Sequence, residues 1–424
     1  MRVLLLGSGG RESALAAALH ASPSVTELVV APGNPGVQSF ATRVPVDTND
    51  PKKVAELAGE LRPALVVIGP EAPLVAGVAD ALRDGSVPVF GPNAQAARIE
   101  ASKSYAKSLM NSVGVPTSAG RVFDSMPGAV AFLDELGPPY VVKADGLAAG
   151  KGVVVTSDRE RAIAAVEQRV VDRVFGDQGS RVVIEEYLEG PEVSLIAFCD
   201  GSEVVACEPA QDYKRIADGD RGPNTGGMGS YSPVPVCPPA MVDQISEEII
   251  RPVVAATDHA GAPFVGALYA GLALTTEGPK VVEFNVRFGD PETQALIPRL
   301  RSDFCELCAA SAAGELAGMK AEWKAEACVA VVLASQGYPA EHDVGLPISG
   351  IDEADAMLDV SIFQAGTDRR NGDLVTAGGR VLAVSALGPT FDAARRRAYD
   401  AAAVIEFEGK HLRTDIGLRA VEEQ

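Results

Sequence analysis

Glu283-Phe284-Asn285-Val286-Arg287-Phe288-Gly289-Asp290-Pro291-Glu292-Thr293 follows the apolar pair Val281-Val282. Its first half reads as a strand, in which successive side chains point to opposite faces. Alternation from Val282 puts Val282, Phe284 and Val286 on one face, available to a core. Glu283, Asn285 and Arg287 share the other, a carboxylate, a carboxamide and a guanidinium about 7 Å apart in a row. Two oxygen ligands beside a fixed cation suit a magnesium ion that is already bound to phosphates. Gly289-Asp290-Pro291 then predicts a tight turn into a helix starting near Glu292. A polar strand face that ends at a helix N-terminus is a place to hold anions. The bland alternative is a half-exposed edge strand carrying ordinary polar residues.

Working outward, 424 residues are too many for one ordinary core, so two to four domains are expected. No apolar run reaches the length of a membrane span. Val3–Leu6 runs straight into Gly7 and reads as a first strand rather than a signal peptide. The net charge of −20 argues against nonspecific nucleic-acid binding, which needs basic surface. Anionic substrates must therefore meet local positive sites. Four histidines, none in a ligand-spaced cluster, make a histidine-based hydrolase or a zinc enzyme a poor reading. The lone Cys305-x-x-Cys308 pair sits in a helix-like run and predicts core thiols, and a reducing cytoplasm is the expected location.

Residues 1 to about 100 alternate strand and helix, which implies a parallel sheet with helices on both faces. Ligands in such sheets sit at the carboxyl ends of strands. Three turns fall there: Gly7-Ser8-Gly9-Gly10-Arg11, Pro32-Gly33-Asn34-Pro35-Gly36 and Gly69-Pro70-Glu71-Ala72-Pro73. The first imitates a dinucleotide fingerprint, but the third glycine is replaced by Glu12. Its glycines still let N–H groups approach a phosphate, with Arg11 adding charge. Asn93–Met110 reads as one helix bearing Lys103 and Lys107. Strand Tyr140–Ala144 carries Lys143 and is followed by the loop Asp145–Gly152. Three residues separate Gly146 from Gly150, and Gly152 follows Lys151, so the loop is not a Walker phosphate loop. It reads instead as a mobile flap over phosphates, a plain flexible hairpin being the alternative. The stretch from Gln211 through Lys214 and Asp220 to Gly229 reads as a long polar loop without secondary structure, suited to a substrate lid. Phe264–Thr275 is expected to pair with Lys280–Arg287.

Lys143, Gly150-Lys151-Gly152, Glu185-Glu186-Tyr187-Leu188 and Glu283-x-Asn285 together resemble the ATP-grasp superfamily. The finer resemblance is to the phosphoribosylamine–glycine ligase family, and it runs nearly end to end. Gly7–Arg11, Ala31–Gly36, Gly69–Leu74, Gly146–Val153, Gln211–Arg215, Gly222–Pro233, Glu283–Gln294 and Arg413–Ala420 carry it in order. The chain departs from the family pattern at Ser13, Tyr213 and Gln364, where histidine is frequent.

The resemblance implies an α/β and α+β multidomain chain. It comprises an N-terminal Rossmann-like domain at 1–100, a large ATP-grasp subdomain at 101–122 and 187–326, a small flap subdomain at 123–186 and a C-terminal α+β domain at 327–424. It implies ligation of glycine to 5-phosphoribosylamine with ATP and Mg2+ or Mn2+, by a monomer, with oligomers left open and no nucleic-acid or membrane partner. Lys103, Lys143, Gly150, Lys151 and Gly152 would hold ATP phosphates, Glu185, Glu186, Tyr187 and Leu188 would line the adenine cleft, and Glu192 would bind ribose. Glu283 and Asn285 would hold the metal. Gly9, Gly10, Arg11, Pro32, Gly33, Asn34, Glu71, Asn224, Thr225 and Gly226 would bind substrate. Arg287 would steady an acyl phosphate and Asp212 would orient an amine; a structural salt bridge is the open alternative for both. Another ATP-grasp ligase, a dinucleotide oxidoreductase and a non-catalytic ATP-binding protein are the competing readings.

Overall fold

The structure is a computed structural model that describes residues 1–146, 152–174 and 180–423. The expected sites at Gly150 and Lys151 lie outside the described residues. The first sheet is parallel, in the order Thr42–Arg43, Glu27–Pro32, Arg2–Gly7, Leu65–Ile68, Val89–Phe90. Arg2–Gly7 is central because Val3, Leu4, Leu5 and Leu6 are apolar on both faces and fully buried. The strand order reverses beside it, so Gly7–Arg11 and Gly69–Glu71 flank the switch point where such sheets bind ligands.

A small antiparallel sheet follows, ordered Gly120–Phe123, Val182–Glu186, Tyr140–Ala144, Val153–Thr156. Helices Met126–Leu136 and Arg159–Val170 cover it through a core that includes Leu133, Val142, Val166 and Ile184. A second antiparallel sheet runs Val204–Ala206, Glu192–Asp200, Val265–Thr275, Gly278–Asn285. Phe198 and Phe288 from this region pack with Phe90 of the first sheet and with Phe304. The first and third sheets thus share one apolar core. The last sheet, Gln211–Asp212, Gly229–Ser232, Ala327–Ala334, Arg380–Gly388, Val360–Gln364, draws two strands from ahead of residue 327. Helix Phe391–Val404 packs on it.

Three expectations need correction. Asn93–Met110 is two helices, Ala94–Ala101 and Lys103–Val113. Ser102 breaks them because it is extended and its Oγ accepts the Tyr105 N–H, capping the second helix. The stretch 211–229 is not structureless: Arg215–Ala217 pairs with Arg221–Asn224 as a hairpin. Strand Gly278–Asn285 carries a bulge, since Leu272 pairs with Val281 while Gly271 pairs with Glu283. Val282 is the extra residue. Val281 therefore lies in the core with Phe284 and Val286, and Val282 does not. A further hairpin pairs Thr367–Arg370 with Asp373–Thr376.

Candidate active site

The bulge organises the site. It frees the Val282 carbonyl, which accepts a hydrogen bond from Lys143 Nζ at 2.9 Å. Lys143 also meets Glu185 Oε2 at 2.6 Å, and Lys107 meets Glu185 Oε1 at 2.7 Å, all three side chains being buried. Burial works against the charge on Glu185, but Lys143 and Lys107 hold its carboxyl below the usual range. Lys103, one helical turn before Lys107, donates to the Gly146 carbonyl at 3.2 Å. Glu186 accepts the Ala119 N–H, while Tyr187 is half exposed.

Beside the bulge, Glu283 and Asn285 are partly exposed on one strand face. Across from them Lys214 ion-pairs with Glu192 and, at 3.2 Å, with Asp212. Burial pushes the Asp212 carboxyl up to about 7, with Lys214 opposing and Glu292 and Glu192 adding to the rise. Glu292 accepts from Tyr269 Oη at 2.9 Å and from Ser194.

Past the strand end, Arg287 is partly buried among carboxylates. It lies 3.2 Å from Glu71 and 3.4 Å from Glu100, and it donates to Asn285 Oδ1 at 3.2 Å. Burial opposes its charge, yet Glu100 and Glu71 raise its affinity for the proton above the ordinary value. Glu100 accepts the Val286 N–H at 2.7 Å; burial pushes its carboxyl up to about 7, partly offset by Arg287.

The glycine turns are more filled than their composition suggests. Glu12 accepts the Gly9 N–H at 2.6 Å and pairs with Arg11, which also donates to the Phe288 carbonyl. A Cβ on Gly7, where φ is +124°, or on Gly69 would strike the Glu12 side chain. This carboxylate occupies the place where a dinucleotide fold brings its pyrophosphate, which argues against the oxidoreductase reading. Asn34 is buried; it donates to Ser8 and Gln364 carbonyls at 2.8 Å and accepts the Gly36 N–H. Arg43 takes the carbonyls of Pro32 and Gly33. That turn therefore ties the N-terminal sheet to the last one. Ser13 joins the same knot through Gln364, and Tyr213 lies buried between the guanidiniums of Arg413 and Arg419. Thr225 is folded back on Lys214, and Arg380 from the last sheet grips the Gly226 carbonyl and Asp290.

Three profiles describing phosphoribosylglycinamide synthetase match in register: the N domain at 1–100, the ATP-grasp domain at 101–293 and the C domain at 328–419. The phosphoribosylamine–glycine ligase of Caulobacter vibrioides is 50% identical over 426 residues, spanning 100% of this chain and 99% of its own. That of Rhizobium meliloti is 48% identical over 421 residues, 99% of each chain. The chain belongs to the phosphoribosylamine–glycine ligase family. The crystal structure of the Thermotoga maritima phosphoribosylamine–glycine ligase superposes with a TM-score of 0.86 at 35% identity, over 98% of this chain and all of that one. The biotin carboxylase domain of Hydrogenobacter thermophilus 2-oxoglutarate carboxylase, at 15% identity, shares the fold with a TM-score of 0.75 over 97% of this chain and 91% of that one.

For a phosphoribosylamine–glycine ligase, the predicted residues fall into two adjoining groups. Lys103, Lys143, Glu185, Glu186, Glu192, Asp212, Glu283 and Asn285 form one. Arg287, Glu71 and Gly9–Arg11 form the other, with Gly226 linked to it through Arg380 and Asp290, while Thr225 lies on Lys214 beside the first; the strand end 283–287 joins the two. Pro32–Asn34 points into the inter-sheet knot. Sequence reasoning missed the roles of Lys107, Glu100, Lys214, Glu292 and Arg380. Lys214 carried a usable signal, since it lies two residues from Asp212 and so on the same extended face.

Proposed function

We propose that this chain, an ATP-dependent ligase by family, forms glycinamide ribonucleotide from glycine and 5-phosphoribosylamine through a glycyl phosphate, releasing ADP and phosphate in purine biosynthesis. The observation that carries this reading is the bulged strand. Within residues 282–287 it offers the Val282 carbonyl that orients Lys143, then the oxygen side chains of Glu283 and Asn285, then the Arg287 guanidinium held by carboxylates.

A carboxylate resists amine attack and needs a leaving group. The glycine carboxylate attacks the γ-phosphorus, ADP departs, and the amine then attacks the acyl carbon as phosphate leaves. Phosphoryl transfer needs positioning and charge neutralisation more than covalent help. Lys103 and Lys143 hold the phosphate tail, backbone groups of Glu185–Leu188 line the adenine cleft, and Glu192 takes the ribose. Gly150, Lys151 and Gly152 complete the phosphate contacts in this reading. Arg287 steadies the acyl phosphate. Asp212 orients the amine, and a carboxyl pushed up to about 7 is suited to accept the ammonium proton near neutrality. Gly9–Arg11, Glu71 and Asn224–Gly226 face the phosphoribosyl group.

Glu283 and Asn285 fit a magnesium or manganese ion. Among the described residues no cluster of three or more His, Cys, Asp or Glu side chains is suited to a metal, and two protein oxygens are what magnesium takes when phosphates fill its other positions. When bound, the ion neutralises phosphate charge. A monomer in the cytoplasm completes the reading, a setting in which thiols such as the six buried, unpaired cysteines stay reduced. ADP release measured with each amine and amino acid in turn tests the assignment. Release that needs both glycine and 5-phosphoribosylamine supports it, and release indifferent to either would count against it.

A further inference from the structure

We propose that Lys107 is a positioning residue that, by sharing Glu185, keeps Lys143 aimed at the nucleotide phosphates and leaves the triad a net positive charge. The inference rests on the reading of Lys143 as a phosphate ligand. Lys107 Nζ meets Glu185 Oε1 at 2.7 Å, the Ser118 carbonyl at 2.7 Å, Ser118 Oγ at 2.9 Å and Thr117 Oγ1 at 3.2 Å. An ammonium has three N–H donors, so Lys107 has none left for a ligand. Lys143 spends two donors, on Glu185 and on the Val282 carbonyl. Those two fixed bonds orient its third.

Charge counting gives the arrangement its purpose. A buried lysine–glutamate pair is neutral, and Lys143 alone on Glu185 would offer a triphosphate almost no net field. With Lys107 the triad carries one positive charge, in a chain whose total is −20. The cost of burying that charge is met by the Ser118 and Thr117 oxygens around Lys107. Thr117 also donates to the Val281 carbonyl at 2.9 Å, so one connector ties the Lys103–Val113 helix to the bulged strand. Burial presses the Lys107 ammonium below its ordinary value, and Glu185 counters it.

The test is ATP binding by calorimetry on the full chain, with KM for ATP and glycine alongside. Lys107→Met should weaken ATP roughly tenfold and leave the glycine KM unchanged, because one charge near the phosphates is lost. Lys107→Met with Glu185→Gln restores a net charge of one and should regain most of that loss. Losses that simply multiply in the double variant, or unchanged ATP affinity in a folded Lys107→Met chain, would overturn the proposal. Lys107→Gln keeps a donor for Ser118 and serves if the methionine variant unfolds. If both unfold, Lys107 holds the fold rather than Lys143, and the proposal fails. Lys143→Met separates the two readings. ATP affinity unaffected by Lys143→Met would remove the nucleotide role itself, whereas loss in Lys143→Met without loss in Lys107→Met removes only this inference.

Discussion

Glu283 lies on a partly exposed strand face and Glu100 is buried against the Val286 N–H just beyond it, and their expected behaviour differs accordingly. Glu283→Ala should cut turnover roughly a hundredfold or more while circular dichroism stays unchanged, because it removes charge complementarity from a surface that the core does not use. ADP release at saturating magnesium checks it. Glu100 should be seen in stability against pH. Its carboxyl titrates about 7 in the folded chain against an ordinary value of 4.5, so the folded state holds the proton across that interval and the unfolded state does not. Stability from this group is therefore present below pH 4.5 and lost as pH rises through 7, by an amount on the order of 3 kcal/mol. Urea titrations of Glu100→Gln should lack that component, so the difference from the parent chain should change between pH 5 and 7.5; a constant difference would contradict it. The two residues also differ in legibility. Alternation exposed Glu283 and Asn285 directly. Glu100 ends an ordinary amphipathic helix, and periodicity marks such a position as buried without saying that its partner is the Val286 N–H.

At the scale of elements, the hairpin within 211–229 is pinned by the C-terminal segment. Arg413 is fully buried and bridges Asp220 at 2.9 Å and Asp415 at 2.7 Å, while the Tyr213 hydroxyl accepts the Gly417 N–H. Arg413→Met should cost about 3 kcal/mol in urea unfolding, since it removes the guanidinium that bridges Asp220, Asp415 and the Arg215 carbonyl. A loss below about 0.5 kcal/mol would show the pin to be ornamental. Several elements were legible: Tyr140–Ala144 is a strand to the residue, and Val3–Leu6 lies within the central strand of the first sheet. The failures have separate causes. A bulge inserts one residue, which alternation cannot foresee, so Val282 and Val281 exchanged places. The 211–229 hairpin is held by residues some 190 positions away, as in the Arg413–Asp220 pair, and local composition does not carry that information. The hairpin at 367–376 did have a signal, because Asn371-Gly372 is the preferred turn dipeptide and both residues have positive φ.

At the scale of the molecule, four sheets meet around one strand end, and the last sheet takes two strands from ahead of residue 327. Reading the chain as successive units misplaces those strands, because sheet partners are chosen in space. The shared aromatic core joins the first and third sheets, and Cys305 and Cys308 are buried beside it. Their double replacement by serine should lower the midpoint of thermal unfolding and leave the activity of the folded enzyme intact; activity lost to a zinc chelator and regained with zinc would contradict that. The proposed reaction turns on the acyl phosphate. Glycine carrying heavy oxygen in its carboxylate is supplied with ATP and 5-phosphoribosylamine, and both products are analysed by mass spectrometry. With an acyl phosphate, the nucleotide product is ADP and one labelled oxygen passes to inorganic phosphate per turnover. AMP carrying the label, or unlabelled phosphate from fully labelled glycine, would contradict it and remove the roles given to Glu283, Asn285 and Arg287.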